Sequence, residues 1–355
     1  MSTMHFSMVT FMKRYIWFYL LVKFFDTSFI ALLVYVDDIV LTGHCISEIQ
    51  FVKTFLDKQF CIKDLGQLRF FLGFEIARSK SGILLNQRKY TLELLEDAEI
   101  LGSKPAATPF DPSTKLEATK GTPLTDTSSY RRLIGRLLYL TNTRPGISYS
   151  VQHLSQFVSK PTVLHYQAAQ RILKYLKSAP AKSMFFSASS ELKLHGFADL
   201  DWACCPDTRR QVTGYCVLLG SSLISWKSKK QSTVSRSSTE AEYRALAHLT
   251  CEIQWLNYLF HGLQVNFSKP ASVYCDNRLA VYLAQNPTFH ERSKHIELDC
   301  HVVREKINSK LIHLLLVSSA SQLADIFTKS LHSTSFQSIL SKLQLCDIHA
   351  SPSPT

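Results

Sequence analysis

The sequence predicts an α/β (α+β) chain of more than one domain, closing in a mixed sheet flanked by helices. Three observations carry this. Short apolar, β-prone runs at 29–35, 192–198, 213–219 and 272–275 end at turn formers or acids. Stretches with helical spacing alternate with them, the longest over 240–263. Residues 103–129 hold Pro105, Pro109, Pro112 and Pro123 among Ser, Thr, Gly and Lys, a composition expected to form a linker that supplies no core.

The 355 residues are 46% hydrophobic, enough to bury two or three cores. Forty Lys and Arg against 28 Asp and Glu leave a net charge of +12, which favours a polyanionic partner such as nucleic acid. The nine cysteines form no Cys-x-x-Cys pair, so neither a disulfide framework nor a zinc site is expected; a reducing compartment, cytosol or nucleus, fits best, with the cysteines as small core residues. Lys13 and Arg14 precede an apolar run at 16–22, as in a signal peptide, but no small-residue cleavage site follows. Lys23 and Asp26 interrupt the run short of the ~20 residues a membrane span needs, so no membrane anchor is expected; the run reads as a core-seeking or orphaned segment, and residues 1–26 as a degenerate N-terminal segment.

In the first half, 29–35 and 39–42 form a hairpin with Asp37 and Asp38 at its tip. Ile49, Val52, Phe55, Leu56 and Phe60 give a helix over 47–59 with one buried face. A second hairpin, 68–77 with 83–85, precedes a helix at 90–101. Helices at 130–141, 147–158 and 162–177 form a small unit after the linker. From 183 the pattern is a strand at 192–198, a hairpin at 213–219 and 223–227, and the helix 240–263. A strand at 272–275, helices at 279–285 and 298–308, a strand at 311–317 and a last helix from Gln322 complete it.

The acids of the second half are the most informative pattern. Asp199 and Asp276 each end an apolar strand, Glu242 lies early on a helix, and Asp325 starts the last helix. If the strands are neighbours, these side chains meet in one pocket. Packed anions repel, and two divalent cations roughly 3.5 to 4 Å apart are the natural neutralisers, the arrangement used for in-line phosphodiester displacement. Mg²⁺ suits such oxygen ligands, with Mn²⁺ as the alternative.

The blocks Gly196-Phe-Ala-Asp-Leu-Asp-Trp202, Ile224-Ser-Trp-Lys-Ser-Lys-Lys-Gln231, Ser237-Ser-Thr-Glu-Ala-Glu-Tyr-Arg-Ala-Leu246, Tyr274-Cys-Asp-Asn277 and Gln322-Leu-Ala-Asp-Ile-Phe-Thr-Lys329 resemble the ordered signature of the ribonuclease H domain of copia-type retrotransposon Pol polyproteins. The resemblance implies Asp199, Glu242, Asp276 and Asp325 as metal ligands and catalytic groups, with Glu240 the alternative to Glu242. Asp201 is a supporting carboxylate or a turn former. Tyr35-Val-Asp-Asp38 resembles the catalytic hairpin of a reverse transcriptase palm, which implies Asp37 and Asp38 as further metal-binding catalytic residues. Lys63-Asp-Leu-Gly66, Phe71-Leu-Gly-Phe-Glu-Ile76 and Leu138-Tyr-Leu-Thr-Asn-Thr-Arg-Pro145 are similar to segments downstream of that hairpin in the same family.

The resulting layout is a degenerate segment at 1–26, a truncated palm and thumb at 27–102, the linker 103–129, a helical connection at 130–182, a ribonuclease H-like domain at 183–345 and a tail at 346–355. The family's third polymerase carboxylate has no counterpart upstream of the hairpin, so the polymerase half is expected not to work alone. The function implied is metal-dependent hydrolysis of the RNA strand of RNA–DNA hybrids; the alternative is a non-catalytic retroelement remnant or a nucleic-acid-binding module. Arg209, Arg210, Trp226, Lys227, Lys229, Lys230 and Arg236 are the candidates for tracking the phosphates of such a duplex. His290, Arg292, Lys294 and His295 contact nucleic acid or cap the next helix.

Overall fold

The computed structural model describes residues 7–13, 16–24, 29–235, 237–286 and 297–347. Contacts divide the chain into two compact units, residues 1–72 with 256–266, and residues 73–255 with 267–355. No helix among the described residues is long and apolar enough to cross a membrane.

The first unit is an antiparallel sheet in the order β1 (Ser7–Lys13), β2 (Ile16–Phe24), β3 (Phe29–Tyr35), β4 (Asp38–Gly43). Of the two readings of the N-terminal run the core-seeking one holds, and the degenerate segment is corrected: β2 pairs with β3 from Tyr19↔Val34 to Phe24↔Phe29, and Val22 is fully buried. Its aromatic-rich run satisfies its backbone by pairing in the sheet. Tyr35 pairs with Asp38 across a two-residue turn in which Val36 has φ 49°. Such tight turns need a positive φ, which costs a β-branched residue about 1–2 kcal/mol. The helix α1 (Ile46–Phe60) forms where its spacing predicts. The expected buried face is another correction: the helix buries only Val52, while Phe51, Phe55 and Phe60 stay exposed. It rests on the outer strand β4, which covers little of it. A two-residue strand β5 (Phe70–Phe71) follows.

In the second unit, β6 (Phe74–Ser79) and β7 (Gly82–Asn86) form a hairpin, and β7 pairs antiparallel with β8 (Lys182–Ser187). The helices α2 (Arg88–Asp97), α3 (Thr127–Leu140), α4 (Ser148–Leu154) and α5 (Val163–Lys177) share one core. On α3, Tyr130, Leu133, Ile134, Leu137 and Leu140 recur at i, i+3, i+4, and all are buried. Asp126 caps its start by accepting from the Ser128 and Ser129 amides. The hairpin and α2, expected to belong with the palm, thus pack with the helical connection.

The Pro-rich segment is also corrected. Phe110 and Leu116, 5% and 3% exposed, are members of that helical core, and the Ala106 amide donates to the Lys174 carbonyl. A few well-spaced apolar residues suffice when helices already form the walls.

His153 sits within this packing, edge-on to Phe110 at 5.3 Å and stacked on Tyr149 at 5.8 Å. Burial, with a smaller contribution from Lys230, pushes its pKa down to about 4. The unfolded chain therefore takes up a proton near pH 6.5 that the folded one refuses. The stabilisation is fully present above about pH 6.5 and is lost as pH falls towards 4, by at most about 3 kcal/mol. Urea unfolding of wild type and His153→Phe at pH 7.5 and 4.5 should show a smaller acid loss in the variant; equal losses would exclude His153 as a cause.

The remaining strands β9 (Leu194–Asp201), β10 (Val212–Leu219), β11 (Ser222–Lys230), β12 (Ala271–Cys275) and β13 (Ile312–Leu316) build the expected mixed sheet. Its order is β11-β10-β9-β12-β13, antiparallel over the first three and parallel from β9 to β13. The helix α6 (Ser238–Gly262) lies on one face, where Gly196 leaves room for Leu249 and Ile253. The other face carries a 3₁₀ turn, Leu323–Phe327, and α9 (Ser333–Lys342), packed on Cys216, Leu218 and Leu223. The predicted single helix from Gln322 is thus two pieces. Gln322 and Thr328 spend their side chains on β9, through the Ala198 carbonyl and Asp199, and this holds the first piece as a tight turn. The helices α7 (Arg278–Gln285) and α8 (Glu297–Asn308) and the short strand β14 (Leu345–Asp347), paired with β8, complete the unit.

Candidate metal-binding active site

Strand register brings the first two acids together. Tyr274 on β12 lies opposite Phe197 on β9 in a parallel pair, so two residues on, Asp276 comes beside Asp199. Asp199 pairs across β10 with Gly214, and cross-strand partners point to the same face. That face carries the 3₁₀ turn with Asp325, and an added Cβ at Gly214 would lie 2.7 Å from Phe327 Cβ and Thr328 Cγ2. Glycine is needed there so that the turn can settle on the strand.

The structure brings Asp199, Glu242, Asp276 and Asp325 into one electrostatic cluster. Asp199 is 2% exposed; Thr328 Oγ1 donates to its Oδ2, and Lys329 Nζ lies 3.2 Å from the same oxygen. Lys329 Nζ is also 3.0 Å from Asp325 Oδ1. Ser319 Oγ donates to Asp276 Oδ2 at 2.8 Å. Glu242 is 8% exposed, and its Oε2 has no hydrogen-bond partner among the described residues. Glu240, the alternative, is turned away into an i,i+4 ion pair with Arg244 at 2.9 Å.

Burial pushes the Asp199 carboxyl up to about 7, against the pull of Lys329 and helped by Asp325. Burial, then the charges of Asp199 and Asp276, pushes Glu242 up to about 9. Burial raises Asp325 and Asp201 in the same direction. Such a site holds more negative charge than its own cation neutralises.

Lys329 escaped the sequence reading as a site residue, although it ends the Gln322–Lys329 block and stands four residues after Asp325, the spacing of a helical ion pair. Lys329→Gln should lower the unfolding free energy of the metal-free protein by about 1–2 kcal/mol, since its ammonium is a third exposed. Urea unfolding in EDTA checks this, and an unchanged midpoint would remove Lys329 as the counter-ion.

The predicted phosphate-tracking set does not form one surface. Arg209, Arg210 and Lys229 are exposed. Trp226 instead packs on the core beneath the 3₁₀ turn, because it pairs with Cys216 on the inward face. Lys230 is turned inward too, donating to Gln156 Oε1 and Cys205 Sγ, both at 2.8 Å. Lys227, one residue on from Trp226, takes the α6 face near His248. Arg236, His290, Arg292, Lys294 and His295 lie outside the described residues. In the first unit, Asp37 and Asp38 are exposed at the hairpin tip.

The fold and site define a class: a mixed-sheet domain with four clustered acids, two of them buried, preceded in the chain by a hairpin with paired aspartates. Residues 4–112 match the family described as reverse transcriptase (RNA-dependent DNA polymerase), so residues 4–26 fall within that family's pattern. The chain is 44% identical over 316 residues to the retrovirus-related Pol polyprotein from transposon RE1 of Arabidopsis thaliana, covering 89% of this chain and 22% of that polyprotein. It is 34% identical over 227 residues to the Ty5-1 transposon protein of Saccharomyces cerevisiae, covering 63% of this chain and 74% of that protein. Among solved structures it is similar to the foamy viral protease-reverse transcriptase in complex with RNA/DNA hybrid, with 16% identity and TM-score 0.43 over 81% of this chain and 36% of that one. The chain belongs to the copia-type retrovirus-related Pol polyprotein family. It spans about a fifth of the length of the RE1 polyprotein.

Proposed function

We propose that the second unit hydrolyses the RNA strand of RNA–DNA hybrids with divalent cations, Mg²⁺ or Mn²⁺, held by Asp199, Glu242, Asp276 and Asp325. The observation that carries this reading is the convergence of Asp199, Asp276 and Asp325, from separate elements, on Glu242, whose Oε2 is buried without a hydrogen-bond partner among the described residues. When bound, the cations supply Lewis acidity at the phosphodiester and lower the pKa of water. The protein's part is to hold the ligands still. Thr328 and Lys329 fix Asp199, Ser319 fixes Asp276, and Gln322 fixes the turn bearing Asp325 by donating to the Ala198 carbonyl and accepting from the Ala324 amide. The exposed Arg209, Arg210 and Lys229 are available to the phosphates of a duplex. Asp37 and Asp38 belong, in the same reading, to the polymerase chemistry of the family.

The test is incubation of the full chain with hybrid labelled on each strand, across Mg²⁺ and Mn²⁺ concentrations and in EDTA. Cleavage of RNA alone, dependent on the cation, is the expected result. Hybrid bound tightly but left intact with both cations would replace the enzyme with a binding module.

A further inference from the structure

We propose that Cys205 and Lys230 are a modification site, at which hydrogen peroxide joins the sulfur of one to the side-chain nitrogen of the other in a reversible cross-link. Lys230 Nζ lies 2.8 Å from Cys205 Sγ, and Gln156 Oε1 holds the same nitrogen at 2.8 Å. The pair joins two parts of the sheet: Cys205 lies in the loop from β9 to β10, and Lys230 is the last residue of β11. None of the acids of the proposed hydrolytic site takes part, and the cross-link does not depend on that activity.

The sulfur is held in place and kept reactive. The Cys205 amide donates to the Arg210 carbonyl at 3.3 Å, and the Cys205 carbonyl accepts from the Arg209 amide at 2.8 Å, so the loop closes around residue 205. Cys205 is buried, but the five residues after it are all exposed, which puts its sulfur close beneath the surface and within reach of a molecule little larger than water. Against burial, which raises it, Lys230 and then Thr208 bring the Cys205 thiol below its ordinary value. The adjacent Cys204 goes the other way: burial, then the charge of Asp201, pushes it up to about 12. The thiolate is the form that attacks peroxide, so of these two neighbours Cys205 is the nucleophile. It differs in this from a cysteine that serves only as a small core residue.

The cross-link consumes one peroxide. The Cys205 thiolate attacks a peroxide oxygen, the O–O bond breaks, and the hydroxide released takes a proton from the Lys230 ammonium, leaving a sulfenic acid, a water and a neutral amine. The amine lone pair then attacks the neighbouring sulfur; an S–N bond forms, the S–O bond breaks, and the hydroxide leaves with an amine proton as a second water. Sulfur has given up two electrons, and the peroxide has taken them. A second peroxide converts S–N to S–O–N, one oxygen entering the bridge and the other leaving as water. Two equivalents of a thiol reverse the first step, returning thiol and amine and leaving the reductant as its disulfide. Once formed, the bond fastens the loop that carries Arg209 and Arg210 to β11, the outer strand of the sheet.

The test treats the reduced full chain with hydrogen peroxide and maps it by tryptic mass spectrometry. The expected product is a pair of peptides joined through Cys205 and Lys230, lighter by two hydrogens than the separate peptides, with one oxygen added at high peroxide. It should be uncut after Lys230, and dithiothreitol should restore the separate peptides. Cys205 should be consumed at least about tenfold faster than Cys204. Lys230→Arg keeps the positive charge but has no amine to give, so oxidation of its Cys205 should stop at a sulfenic acid that dimedone traps. Cys346→Ser, altered at an exposed thiol, should still cross-link. Urea unfolding of each variant checks that it is folded. A wild-type chain without the linked pair, a link that survives Lys230→Arg, or a Cys204–Cys205 disulfide as the main product would overturn the site.

Discussion

Asp276→Asn is expected to slow metal-dependent cleavage of the RNA strand by about 10³-fold, the equivalent of several kcal/mol of transition-state stabilisation. Asp276 leaves the end of β12 beside Asp199, and Ser319 holds one of its oxygens. Asparagine keeps the shape and that hydrogen bond's geometry but removes the negative charge that attracts the cation. The effect should therefore appear in the rate and in the Mg²⁺ concentration required, with little change in unfolding free energy. Asp199→Asn should lose as much activity, because that carboxylate is the most buried of the set and shares Lys329 with Asp325. Single-turnover cleavage of labelled hybrid is the measurement, and a variant that retains wild-type rate at equal Mg²⁺ would remove its residue from the site.

Gly214→Ala should cost about 1–3 kcal/mol of stability and lower cleavage by about 100-fold. The added methyl would sit 2.7 Å from Phe327 Cβ and Thr328 Cγ2 and 3.0 Å from the Phe327 carbonyl carbon. These atoms are at or next to the backbone, so the clash is relieved only by lifting the 3₁₀ turn. That turn carries Asp325, and Thr328 and Lys329 leave it to grip Asp199. Gly135→Ala is the control: nothing lies within 4 Å of its added carbon, and alanine inside α3 should stabilise by up to about 1 kcal/mol. Urea unfolding with parallel cleavage assays separates the two, and a Gly214→Ala protein as stable and active as wild type would refute the close-packing argument.

Much of this site could be read from the chain because its parts have local signals. Asp199 and Asp276 follow short apolar-rich runs of strand length, and alternation within those strands fixes which side chains share a face. The choice of Glu242 over Glu240 came from family likeness, and the geometry shows its physical basis: residue 240 is a helical neighbour of Arg244, while residue 242 points elsewhere. What escaped were contacts between segments far apart in sequence. Nothing local to Gly214 reveals that Phe327 will lie on it, and nothing local to Lys230 reveals Gln156. Trp226 stood among the phosphate-tracking candidates, yet the alternation of β11 sends it under the 3₁₀ turn and its neighbours Ser225 and Lys227 to the α6 face. The strand β8 was overlooked because its apolar stretch, Met184 to Phe186, is too short to show a period. The segment 103–129 was misjudged on average composition, which hides single anchors such as Phe110.

The pairing of β7 with β8 has a practical consequence for anyone who would isolate the mixed-sheet domain by cutting the chain near residue 180. Such a fragment would keep β14 beside β8 but strip away β7, leaving unbonded the amides and carbonyls of β8 from Met184 to Phe186 that now face Ile83 to Leu85. An open, phenylalanine-bearing border of this kind invites edge-to-edge association, so the shortened protein should clump where the longer one stays dispersed.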